Sequence, residues 1–254
     1  MRLRVLRRML SLAVEWSILP KLIKIKPLPE GDELPRFLTD VESFALVEAA
    51  DDWRAMIVLA LRTGLRVGEH RALQWGDINL ARAKLQVNRT SPGKKGYVST
   101  TPKSGKTRVL PLTPDAIAAL RSIPRLTNKP DEIVWKGRYG GVMSTSGYND
   151  AIDRVRTASK VDKPAEIGWH TLRHTFASQL AIRGVSLRIS QELLGHASIV
   201  MTEIYAHLLP GATHLAAVSA LDLPMVADDE TNALGQPAAK LLTTRSESRD
   251  DNEA

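Results

Sequence analysis

The hydrophobic period of this chain changes twice along its length, and that change limits the possible folds more than any other feature. Up to about Gln74 apolar residues recur at helical spacing. Between Asp77 and Leu112 the pattern becomes short extended runs, Asp77–Leu80, Lys84–Asn88, Tyr97–Thr101 and Arg108–Leu112, with turn-forming residues between them. Beyond Thr113 the helical spacing returns. Helices on either side of a few short strands imply a mixed fold, mainly α with a small antiparallel β-sheet near the middle.

Local signals set the element boundaries. Leu6, Met9, Leu10, Ala13 and Val14 fall on one face of a helix over residues 3–19. The segment from Lys21 to Pro35, rich in Pro and Lys, reads as a linker. Thr39-Asp-Val-Glu42 has the form of a capping box and starts a second helix. A helix from about Asp52 to Thr63 breaks at Gly64, and a shorter one spans Arg66 to Gln74. Thr113-Pro114 places an N-cap before a proline at the first helical position, which opens a helix to about Ser122. Further helices are expected over 145–159, 170–183, 187–194 (ended by Gly195), 198–207 and 211–221. Beyond Val226 the chain is polar, acidic and punctuated by Gly and Pro, and disorder is expected there.

Charge and composition narrow the function. The net charge is +7, and the 254 residues include no cysteine. Residues 227–254 hold seven acidic and three basic side chains, so the rest of the chain carries a net +11. Such a body favours polyanions. Thiolate catalysis, disulfides and cysteine zinc sites are excluded. The basic and apolar start has the look of a secretion signal, but Glu15 and Trp16 interrupt it. No stretch approaches the ~20 apolar residues that cross a membrane, so no membrane partner is expected.

Four segments carry groups suited to chemistry. In Thr63-Gly-Leu-Arg-Val-Gly-Glu69 a glycine breaks one helix and Arg66 opens the next, where guanidinium and backbone N–H groups both favour an anion; a surface arginine after a helix break is the plainer reading. In Thr101-Pro-Lys-Ser-Gly-Lys-Thr-Arg108, Lys103 sits at a turn between two strands, where it either enters a groove of nucleic acid or is simply solvated. In His170-Thr-Leu-Arg-His-Thr-Phe-Ala177, His170 and Arg173 are three apart on a helix, and the dipole at its start disfavours imidazolium at His170. His174 lies one turn on. No carboxylate stands between the histidines as in a zinc protease, so a metal pair is disfavoured and a structural role for His174 preferred. In Leu194-Gly-His-Ala-Ser-Ile-Val-Met-Thr-Glu-Ile-Tyr-Ala-His207, Ser198 caps a helix with Tyr205 seven residues along it; alone, Tyr205 is more readily read as a half-buried core residue.

Their order is more specific than any one of them. An Arg after Thr-Gly-Leu, a hairpin Lys, a His-x-x-Arg, a Leu-Gly-His and a Tyr nine residues later resemble, in sequence, the catalytic domain of the tyrosine recombinase (phage integrase) family, over roughly residues 36–221. The chain departs from that pattern at His70, where an aliphatic residue is usual and packing beneath Arg66 is expected to be perturbed. It departs also at its front, where residues 3–19 match only the last helix of a core-binding domain. The expected division is a truncated core-binding segment and linker over 1–35, the catalytic domain over 36–226, and an acidic tail over 227–254.

The resemblance implies a site-specific recombinase or integrase that cuts and rejoins DNA through a 3′-phosphotyrosine. It assigns attack to Tyr205, the non-bridging phosphate oxygens to Arg66 and Arg173, a further hydrogen bond to His196, and the tyrosine proton to His170. Lys103 would protonate the leaving 5′-oxygen, and Glu69 would orient its basic neighbours. It implies no cofactor and no metal, because arginine and lysine supply the positive charge. Double-stranded DNA is the expected partner, with a homotetramer on two duplexes, residues 211–221 packing either on a neighbouring subunit or on their own domain, accessory DNA-bending proteins and a cytoplasmic, nucleoid-associated setting. The competing readings are a type IB topoisomerase-like relaxing enzyme, a catalytically idle DNA-binding remnant of a mobile element, and a basic structural protein.

Overall fold

The computed structural model describes residues 2–23, 25, 35–91 and 107–210. The expected strand at Tyr97–Thr101, the turn holding Lys103, the helix at 211–221 and the tail from 227 lie outside the described residues, as does most of the expected linker.

Helix α1 (Arg2–Glu15) is followed by α2 (Asp40–Glu48), α3 (Arg54–Thr63) and α4 (Val67–Arg71). Three strands come next: β1 (Ile78–Asn79), β2 (Lys84–Val87) and β3 (Arg108–Pro111). Helices α5 (Pro114–Arg121), α6 (Thr145–Ala158), α7 (Trp169–Ile182), α8 (Leu187–Leu194) and α9 (Val200–Glu203) complete the described order. The strands form one antiparallel sheet in the order β1-β2-β3, with Leu85 opposite Leu110 and Val87 opposite Arg108. The mainly helical fold with a small central sheet is thus as the periodicity implied. Among the described residues no helix is long and apolar enough to cross a membrane.

Caps explain most of the boundaries. The Thr39 side chain accepts from the backbone N–H of Glu42, and the Glu42 carboxylate accepts from the N–H of Thr39, so the capping box forms. Thr113 precedes α5 as expected, but its hydroxyl bonds the Asp115 carboxylate instead of a free backbone N–H. Helix α1 stops at Glu15, four residues short of the expected end, where Ser17 turns left-handed (φ 60°).

Helix α3 is the hub. Its residues from Ala55 to Leu61 are all buried, and it packs against α2, α5 and α7. Leu46, Ile57, Leu59, Leu85, Leu110, Leu120 and Leu172 join the same core. Truncating one such leucine to alanine costs about 2–5 kcal/mol. A smaller cluster of Ala177, Ala181, Leu194 and Tyr205 ties α7 to α8 and to the chain after α9. Gly64 ends α3 with φ 58°, and a Cβ there would lie 2.3 Å from Phe176 Cδ1. The glycine therefore supplies a left-handed turn and also lets α7 approach closely.

His70, where an aliphatic residue was expected, occupies an aromatic pocket. It is buried against Trp135, Tyr148 and Trp169, with ring centroids 5.0, 5.8 and 5.7 Å away. Its Nδ1 lies 2.7 Å from the Tyr148 hydroxyl, while Nε2 is buried with no partner among the described residues. Burial holds its pKa down to about 3, so the ring is neutral.

Candidate active site

The C-terminus of α8 organises the site. Gly195 caps the helix in the left-handed region (φ 64°), and its N–H closes back onto Gln191 and Glu192. A helix end leaves its last carbonyls without intrahelical donors, at the negative end of the helix dipole. Here three consecutive carbonyls meet three arginines. Arg108 Nε donates to Leu193 O at 2.9 Å, Arg173 Nη2 to Leu194 O at 2.8 Å, and Arg66 Nη2 to Gly195 O at 2.8 Å. The three guanidiniums reach this point from α7, β3 and the turn after α3.

Glu69 offsets part of this charge. Its buried carboxylate accepts from Arg66 Nη1 (3.0 Å) and the Arg66 backbone N–H (2.9 Å), and from Arg108 Nη1 and Nη2 (3.0 and 2.7 Å). Burial alone would raise its pKa, but the hydrogen bonds and charges of Arg108 and Arg66 outweigh burial and leave it lowered. Arg173 also donates to Gly64 O, which anchors α7 to the end of α3. Burial, reinforced by the positive charges of Arg66 and Arg108, pulls its pKa down to about 9, so it stays cationic at neutral pH.

His196 follows Gly195 directly. Its Nδ1 lies 2.9 Å from Thr202 Oγ1. Burial and the neighbouring Arg173, Arg66 and Arg108 lower its pKa to about 4, so it is a neutral ring set among cations.

Tyr205 is buried, at 4% exposure, and its hydroxyl lies 2.6 Å from His174 Nδ1. Burial pushes the phenol up to about 12, although Arg173 nearby pulls the other way. The expected helix over 198–207 is not continuous. Helix α9 covers only Val200–Glu203, and Tyr205 stands between it and a 3-10 turn at Ala206–Leu208. Ile199, Val200, Thr202 and Ile204 are β-branched, which weakens helix propagation. Ser198 still accepts from Val200 N–H, at 3.3 Å.

Arg66, Glu69, Arg173, His196 and Tyr205 thus converge. His170, at the second position of α7, is exposed, and its ring makes no hydrogen bond among the described residues, although Arg173 three positions on is buried. Lys103 lies outside the described residues. Two members of the cluster were not singled out from the sequence for roles there. Arg108 was legible only as the end of a basic turn; its alternation with Leu110 on β3 marks it as a charge on the inward face. His174 was assigned a structural role, and its spacing from Tyr205 is too long for a local signal. Among the described residues no three metal-ligating side chains cluster.

Residues 30–211 match the family model of the phage integrase family. The chain belongs to that family. This integrase-family chain is 34% identical over 193 residues to the tyrosine recombinase XerC of Xanthomonas campestris pv. campestris, a match covering 73% of this chain and 55% of the relative. It is 32% identical over 213 residues to XerC of Thermodesulfovibrio yellowstonii, covering 78% and 65%. The match thus spans between about half and two thirds of the length of these relatives. Among solved structures, the Tn1549 transposon integrase in complex with a circular intermediate DNA superposes with a TM-score of 0.68 at 20% identity, over 85% of this chain and 76% of that one. The XerA recombinase superposes at 0.56 with 26% identity, over 74% and 64%. The integrase family therefore accounts for the tertiary arrangement as well as the sequence match.

Proposed function

We propose that this chain is the catalytic part of a site-specific DNA recombinase that cuts one strand by forming a 3′-phosphotyrosyl bond at Tyr205 and reseals it by the reverse reaction. The observation that carries this reading is the gathering of Arg66, Arg173, neutral His196 and Tyr205 around the end of α8. A phosphodiester repels nucleophiles with its own charge, and guanidiniums fixed in advance offset that charge without reorganisation. Arg66 and Arg173 hold the non-bridging oxygens through the N–H groups not used on carbonyls. With Nδ1 of His196 accepting from Thr202, its Nε2–H is free to add a third donor. The Tyr205 oxygen bonds to phosphorus as its proton passes to a histidine of α7, the bond from phosphorus to the 5′-oxygen breaks, and that oxygen takes up a proton, in this reading from Lys103.

The relatives' names support DNA as substrate: they are tyrosine recombinases, and the Tn1549 integrase was solved bound to DNA. A tetramer on two duplexes follows from the same reading, since exchange needs four strands cut in pairs. The test is covalent trapping. Nicked duplexes drawn from a randomised pool are mixed with the protein and resolved on a denaturing gel. A protease-sensitive adduct absent in Tyr205→Phe is the expected result. Retarded DNA with no adduct on a native gel would instead favour an idle DNA-binding remnant.

A further inference from the structure

We propose that Arg108 is a positioning residue for strand cleavage: by holding the Glu69 carboxylate and the Leu193 carbonyl, it keeps the Arg66 guanidinium available to the scissile phosphate. This rests on the reading of Arg66 as a phosphate ligand and of Tyr205 as the nucleophile. The Glu69 side chain is 1% exposed and stands between two guanidiniums. Arg108 meets both carboxylate oxygens, with Nη1 on Oε1 at 3.0 Å and Nη2 on Oε2 at 2.7 Å. The Arg66 side chain meets only Oε1, at 3.0 Å, and places its Nη2 on the Gly195 carbonyl. A two-pronged arginine–carboxylate pair is the stronger and more directional of these arrangements. The carboxylate is therefore held chiefly by Arg108.

The geometry suits Arg108 to that task and not to touching the phosphate. Its Nε donates to Leu193 O, so all three guanidinium nitrogens are engaged. Its side chain is 10% exposed against 22% for Arg66, so Arg66 is the one that faces an incoming ligand. The Arg108 guanidinium also lies on the backbone of Gly195, where an added Cβ would come within 2.8 Å of Nη1. Gly195 thus caps α8 and leaves room for Arg108 at once. At the other end of the side chain, Arg108 shares the inward face of β3 with buried Leu110, so the strand fixes where it starts.

The charges give this arrangement its consequence. Among the described residues, Glu69 is the one carboxylate paired with Arg66, Arg108 or Arg173. Together these four side chains carry two positive charges at neutral pH. The phosphate gains negative charge on its non-bridging oxygens as the tyrosine oxygen attacks, and positive charge fixed beside them lowers that barrier. Without Arg108, the enclosed Glu69 is left with Arg66 as its remaining ionic partner. The net charge falls to one, and Arg66 is drawn onto Glu69 and away from the phosphate. Neutralising Glu69 in that background returns the net charge to two and releases Arg66.

A cycle of variants at the two positions tests this. Single-turnover adduct formation is measured on a nicked duplex trapped by the wild type, for wild type, Arg108→Met, Glu69→Gln and the double variant, with melting temperature as the folding control. Arg108→Met should form the adduct about 10²-fold more slowly. Adding Glu69→Gln to Arg108→Met should recover about tenfold or more of that loss. A contact that mattered only for packing would give no recovery, because removing a second buried partner cannot repair it. The assignment is overturned if Arg108→Met keeps the wild-type rate, or if a folded double variant is no faster than Arg108→Met. If Arg108→Met melts below the assay temperature, Arg108→Lys and Arg108→Lys with Glu69→Gln take its place. Lysine keeps the charge but not the fork, and the same recovery, or its absence, decides. A wild-type adduct that persists in Tyr205→Phe, or none at all, overturns the nucleophile assignment and this inference with it. A wild-type rate in Arg108→Met, with an adduct that still requires Tyr205, overturns this inference alone.

Discussion

Replacing His70 by leucine should flatten the acid limb of the stability curve by about 2 kcal/mol. In the folded chain His70 titrates at about 3 because it is buried among Trp135, Tyr148 and Trp169. In the unfolded chain it titrates near 6.5. Protons therefore favour the unfolded state as the pH falls below about 6.5, and the loss is complete only near pH 3. Between pH 7.5 and pH 5 this one group removes about 2 kcal/mol, or roughly 4–8 °C in melting temperature for a domain of this size. Leucine cannot titrate, and it is also the kind of aliphatic residue usual at this position in the family. At pH 7.5 it deprives the Tyr148 hydroxyl of its acceptor, costing about 1–3 kcal/mol, but removes the unpartnered Nε2, which offsets part of that. Urea titrations of both proteins at pH 7.5, 6 and 5 isolate the effect, since every other titrating group cancels in the difference. Parallel curves for His70→Leu and wild type would refute a buried neutral imidazole at this position.

Glu69→Ala should destabilise the chain by about 3–5 kcal/mol, because it leaves Arg66 and Arg108 without their shared counter-charge; thermal melts followed by circular dichroism read this directly. The lowered Glu69 pKa adds stability above the unfolded carboxyl value near 4.5 that disappears as the pH drops through the folded value, so Glu69→Gln should lose less of its stability than wild type below pH 4. Gly64→Ala should cost at least about 1–3 kcal/mol in a chemical melt, since the left-handed φ and the 2.3 Å approach to Phe176 both oppose a Cβ. DNA affinity measured by fluorescence anisotropy should fall linearly in log K against log salt, and Arg66→Ala should make that slope shallower by about one.

What the sequence made legible was local or periodic. The Thr39–Glu42 box depends on residues three apart, and the ends of α3 and α8 on single glycines, so both appear in the chain itself. The position of Tyr205 was harder to read. Its register nine residues past His196 is plain, but the break between α9 and the following 3-10 turn reflects β-branched residues competing with a helix that tertiary packing does not sustain. The partners of Glu69 and Tyr205 were hidden for a different reason. Arg108 lies 39 residues from Glu69 and His174 lies 31 from Tyr205, and no periodicity links residues so far apart. His70 looked like a flaw beneath Arg66 because the aromatic side chains that enclose it come from three distant segments.

The end of α8 also bears on how the family could vary without losing its site. The three arginines are aligned by main-chain oxygens of residues 193–195, not by side chains. At Gly195 a side chain would meet the Arg108 guanidinium and oppose the left-handed φ, and Leu194 is buried, but drift in the chemistry of half-buried Leu193 leaves its carbonyl in place and is buffered. Changes in chain length are not. A single-residue deletion there would rotate the carbonyls by about a hundred degrees, given 3.6 residues per turn, and unseat all three guanidiniums together. Selection on this stretch therefore acts on spacing throughout and on identity at Leu194 and Gly195.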